Sequence, residues 1–134
     1  MGSRREARIC SLQMLYLLDN CNTSVDVVCD AFEDVMPKDE IYRDFAVVLF
    51  KGVCKKKGEI DALIRKYAIN WELGRMAVVD RNIIRLAAYE IIATPTTPIN
   101  VVIDEAVEIS KRYSTEDSSR FVNGILDKLK VARI

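Results

Sequence analysis

The chain has 134 residues, half of them hydrophobic, with only five Gly and three Pro; that suits one domain burying roughly two-thirds of its unfolded surface and argues against disorder. Its 20 basic and 20 acidic residues cancel, so any binding of nucleic acid has to use a local patch. No apolar run approaches the roughly 20 residues of a membrane span, and the start MGSRREAR lacks a signal peptide's apolar core. A cytoplasmic protein with no membrane partner is expected.

The first helix is expected over about 3–19. Ser3 can cap it, and Glu6 three residues later completes a capping-box pattern. Its second half, including Leu12, Met14, Leu15, Tyr16 and Leu17, is apolar almost all round and predicts burial among other helices. Arg4, Arg5 and Arg8 project from one side of the first two turns, crowded against the positive end of the helix dipole. Phosphate groups would relieve that crowding; an ordinary solvated helix start is the alternative.

A second helix is expected over about 24–36, with Val25, Val28, Cys29, Phe32 and either Val35 or Met36 inward, ended by Pro37. Residues 26–44 carry seven acidic side chains against Lys38 and Arg43, a surface that repels RNA. From Ile41 to Tyr67 the apolar positions keep one helical phase, so the spacing predicts a single long helix over about 39–67, which Gly52 and Gly58 could bend. The run Lys55, Lys56, Lys57 reads as solvated surface or as a second RNA contact.

Residues 70–76 hold the only Trp and read as a short connecting turn or helix. The next helix is expected over about 77–93, with Val79, Ile83, Leu86, Ala87 and Ile91 inward. Glu90 shares their angular position, which predicts a buried carboxylate held by an Arg or by backbone amides. TPTTP at 94–98 forces a turn. The stretch 97–130 then reads as two helices joined by the polar turn Ser114 to Asp117, with a line Asp117, Phe121, Gly124, Lys128 along the edge of the second apolar stripe.

The four cysteines form no CxxC pair and the chain has no His. Buried reduced thiols are expected rather than a zinc site, and the commonest general base is missing. There is no GxGxxG or P-loop pattern, repeat or second domain. The pattern is that of an all-α single domain, residues 1–134, of six or seven helices, with no cofactor, no metal and no catalytic residue.

Three separated motifs carry a resemblance: RREARICSLQMLY at 4–16, DRNIIRLAAYEII at 80–92, and IDEAVEISKRY followed by EDSSRFVNGILDKL near the end. They resemble the NusB family of bacterial transcription antitermination factors. The resemblance implies two packed three-helix subdomains and a non-enzymatic role: binding, together with the ribosomal protein NusE, to the boxA element of nascent ribosomal RNA transcripts in RNA polymerase antitermination complexes. By motif position it assigns Arg4, Arg5 and Arg8 to RNA. Glu6 stands where some relatives carry another Arg. It places Phe121 and Asp117 near the RNA and partner surface, Phe121 being either a stacking platform for a base or a core residue. Tyr16 and Asp80 match positions associated with NusE contact, though Tyr16 also fits the core. Replacing Arg5 and Arg8 by Ala is expected to weaken RNA binding while leaving thermal stability nearly intact. A rival reading is a helical module that binds only proteins, for instance as a homodimer. Fusion to an RNA cytosine methyltransferase domain, also known for NusB-like domains, is not expected because the chain ends where that domain would begin.

Overall fold

The computed structural model describes residues 3–69 and 71–133; Asn70, the start of the expected connector, lies outside them. Among the described residues there are seven α-helices and no strand: α1 (Arg4–Asn20), α2 (Val25–Ala31), α3 (Glu40–Lys55), α4 (Lys57–Tyr67), α5 (Val78–Ala93), α6 (Ile99–Tyr113) and α7 (Glu116–Leu129). Among the described residues, no helix is long and apolar enough to cross a membrane. The ends follow from local chemistry. Ser3, Ser24, Asp39 and Thr115 each accept a backbone N–H from the first turn of the helix they open. Pro98 opens α6, where its missing N–H is not needed.

Two helices differ from expectation. The predicted 39–67 helix is broken at Lys56, whose φ of −104° and ψ of 16° leave the helical region. The backbone ladder is handed over there: Lys56 N–H donates to Gly52 at 3.0 Å, and Ile60 N–H donates to Lys56 at 2.8 Å. The turn lets α3 pack on α1 while α4 packs on α5 and α7, which one straight helix could not do; both parts keep their apolar phase. The second helix stops at Ala31 instead of running to 36. Past Ala31 the backbone tightens into turns, with Glu33 N–H donating to Asp30 at 3.2 Å and Val35 N–H to Phe32 at 3.1 Å; Arg43 fixes this segment by donating to the backbone carbonyl of Glu33 at 3.2 Å and pairing with its carboxylate. Met36, not Val35, turns inward.

The first three helices pack on one another, and α5, α6 and α7 form a second group that α4 joins. Helix α5 is common to both, touching α1 and α3 on one side and α4, α6 and α7 on the other. It is accordingly buried nearly all round, with Ile83, Ile84, Leu86, Ala87, Ala88 and Ile91 in the core. Gly52 permits the α3–α5 approach: a methyl group there would overlap the ring of Tyr89. Gly52→Ala should therefore destabilise the protein by about 1–2 kcal/mol in urea unfolding, because overpacking outweighs the better helix propensity of Ala; a gain in stability would show that Tyr89 moves aside freely.

Two ion-pair networks lie inside this apolar packing. Glu90, 2% exposed, accepts two bonds of 2.9 Å from the Arg8 guanidinium, as its angular position predicts. Arg85 forks onto Asp61 at 2.8 and 3.0 Å and reaches Asp19 at 3.4 Å, where Asn82 also donates. Arg133 closes the end of α5 and the turn after it by donating to the carbonyls of Glu90, Ile91, Thr94 and Thr97, among them the carbonyl of Ile91 in the last turn of the helix. Burial pushes the thiols of Cys10, Cys29 and Cys54 above their ordinary value, so they stay protonated; Cys21, by contrast, is exposed.

Candidate nucleic-acid interface

The start of α1 divides its three arginines between surface and core. Arg4 is exposed, its guanidinium lying 4.7 Å from the centre of the Phe45 ring. The Arg5 side chain is half exposed and held on Glu105 of α6, with Nε donating to both carboxylate oxygens at 3.1 and 3.2 Å and Nη2 to one at 2.5 Å. That hydrogen bond, more than the charge alone, holds the Glu105 carboxyl below the usual carboxylate range. Arg8 does not join them at the surface. It is 4% exposed, forked onto Glu90 and 3.5 Å from Glu105, so the expectation that it meets phosphate like Arg4 and Arg5, and that its loss would leave stability intact, is corrected. Its geometry pins α1 to α5 and α6.

Tertiary packing supplies cations that the N-terminal motif does not contain. Lys111 and Arg112, in the last turn of α6, line a shallow hollow of about 240 Å³ together with Arg5, Ile9, Glu108 and Ile109. Their sequence signal, two cations in the helix's last turn, is also what the helix dipole favours, so it did not single them out.

A second region gathers residues from four stretches. The end of α4, the short connecting helix Leu73–Arg75, the first turn of α5 and one side of α7 enclose a groove of about 920 Å³. All four residues of the predicted edge line, Asp117, Phe121, Gly124 and Lys128, border it, and so does Asp80. Phe121 is neither a free platform nor a full core residue: it is half-buried and meets Trp71 edge-to-face, centroids 4.7 Å apart and planes at 69°. Asp117 is exposed and shares its charge with Arg120 at 3.2 Å. Asp80, only 7% exposed, accepts from the Ser118 hydroxyl at 2.9 Å through one oxygen, while its other oxygen and the neighbouring Arg81 Nε are buried without a partner. In the linear sequence Trp71 belongs only to a connector, and nothing there places it against α7.

Tyr16 is outside this groove, on α1, and is 47% exposed rather than core. One turn further, Asp19 gathers Lys57 at 3.8 Å, Arg81 at 3.5 Å and Arg85 at 3.4 Å. Lys55 and Lys56 stand exposed at the α3–α4 corner. No group of three or more His, Cys, Asp or Glu among the described residues is placed to hold a metal.

Comparison with known proteins bears on this surface. The model of the NusB family matches residues 5–130. The transcription antitermination protein NusB of Desulforapulum autotrophicum is 44% identical over 137 residues, covering 99% of this chain and 94% of that protein. The NusB structure from T. maritima superposes with a TM-score of 0.87 at 36% identity, covering 97% of this chain and 92% of the other. A crystal structure of the antitermination factors NusB and NusE in complex with dsRNA contains a chain that superposes with a TM-score of 0.86 at 26% identity, covering 96% of each. On sequence and fold together, the chain belongs to the NusB family.

Proposed function

We propose that this protein is a cytoplasmic RNA-binding transcription antitermination factor that acts with NusE on the boxA element of nascent ribosomal RNA transcripts, within an RNA polymerase antitermination complex. The observation that carries the reading is its likeness, over 96% of both chains, to the NusB-type chain of a NusB–NusE–dsRNA complex. The surface has the chemistry such a role needs. Arg4 and Arg5, joined by Lys111 and Arg112, take phosphates; Arg8 holds the helix that carries the first two. Phe121 offers part of an aromatic surface to bases, and exposed Asp117 offers acceptors to base N–H groups. Tyr16, exposed on α1, and Asp80, at the wall of the groove, are the residues assigned to the protein partner. The mechanism is binding alone, with affinity raised when two surfaces engage one RNA.

The test is binding of the purified protein to a labelled boxA-type single-stranded RNA, with and without NusE, at two salt concentrations. Salt-sensitive binding that NusE strengthens is expected. A NusE complex or a homodimer that forms equally well at both salts and retains no RNA would replace this reading with a protein-only module.

A further inference from the structure

Gly124 occupies a place where the fold does not call for glycine. It lies in the middle of α7, and a methyl group added there would meet nothing within 4 Å. Alanine would serve the helix better. The bare backbone at Gly124 instead opens onto the groove described above.

The same groove is lined by Trp71, which is 58% exposed. Trp71 is the more exposed of the two packed rings, Phe121 being half-buried, so the broad aromatic surface left open belongs mainly to the indole. The charges at the rim are nearly all satisfied internally: Arg75 pairs with Glu72 and Arg120 with Asp117, each at 3.2 Å. Lys128 has no carboxylate partner among the described residues. A flat π-face, backbone open to close approach and an unpaired cation suit a flat ligand joined to an anion. A purely apolar protein side chain would use the first two and leave the cation idle.

We propose that this groove seats one unpaired RNA base, stacked on Trp71 and lying against the backbone at Gly124, with Lys128 taking an adjoining phosphate. The assignment rests on the RNA-binding reading and gives it a base-binding residue besides Phe121. Stacking on an aromatic side chain tolerates any base, so the slot adds affinity rather than sequence preference.

Trp71 is the only tryptophan, so its emission reports the slot directly. The protein alone is titrated with single-stranded RNA, followed by anisotropy of a labelled strand and, in parallel, by tryptophan emission with an unlabelled one. Emission is expected to fall with the midpoint seen by anisotropy. Trp71→Ala should raise Kd about tenfold, the loss of one base stack. Gly124→Leu should raise Kd at least as much while leaving Tm unchanged or about 2–4 °C higher, a combination misfolding cannot produce. Lys128→Ala should lower the salt slope by about 0.7. Binding seen by anisotropy with unchanged emission and wild-type affinity in all three variants overturns the slot and leaves the RNA-binding reading standing. Emission that responds to NusE and not to RNA makes the groove a protein site and overturns it too; absence of any RNA binding overturns both readings.

Discussion

Glu90→Ala is expected to cost about 3–5 kcal/mol, because it leaves the Arg8 guanidinium buried without its main counter-charge. For a domain of this size that corresponds to a fall in Tm of roughly 10–15 °C, measurable by circular dichroism. The magnitude follows from burial rather than from the strength of the pair itself. Arg8 and Glu90 are 4% and 2% exposed and joined by two bonds of 2.9 Å; Glu105, at 3.5 Å and already engaged by Arg5, is a partial substitute. Removing both charges, as Arg8→Met with Glu90→Leu, should recover most of the loss, since apolar groups of similar volume often replace a buried ion pair without net cost. A single-mutant loss below about 1 kcal/mol would mean that water reaches Arg8 when Glu90 is gone. The double variant also separates two roles: if it folds well yet binds RNA more weakly, the pair serves to orient the arginine-bearing end of α1 beyond stabilising it.

The starts of α1, α2, α3 and α7 were legible from their capping side chains, and Glu90 was legible because its angular position lies among Val79 and Leu86. Depth was harder to read. Arg4, Arg5 and Arg8 share one side of an isolated helix, but which of them sinks depends on where α5 and α6 approach, and Glu90 and Glu105 lie 82 and 97 residues from Arg8 along the chain. The break at Lys56 was invisible for a related reason: the apolar phase runs through it, and only the need to reach both α1 and α5 bends the backbone there. The groove was half legible. The line from Asp117 to Lys128 marked one wall, whereas Trp71 and the end of α4 arrive through tertiary packing alone.

Replacing Arg4 and Arg5 together by Ala is expected to weaken binding to single-stranded RNA about a hundredfold at low salt, taking roughly 1.5 kcal/mol for each charged hydrogen bond to phosphate. The slope of log affinity against log salt should fall by about 1.4, two phosphate contacts at roughly 0.7 each. Stability should change by less than about 1 kcal/mol for each residue, because Arg4 only overlies Phe45 and Arg5 is a half-exposed ion pair. That contrast with Arg8 distinguishes surface recognition from core structure within one five-residue motif. Glu105 sharpens the test. In the free protein it occupies Arg5 through three hydrogen bonds, so a phosphate must compete with a carboxylate for the same guanidinium. Arg5→Ala removes the cation and leaves that carboxylate beside the RNA path, so this single change should be more harmful than Arg4→Ala. A clearly smaller loss for Arg5→Ala than for Arg4→Ala would place the phosphate on Arg4 and the α6 cations, with Arg5 kept for its bridge to Glu105. An unchanged affinity in the folded double variant would remove the N-terminal patch from the RNA surface.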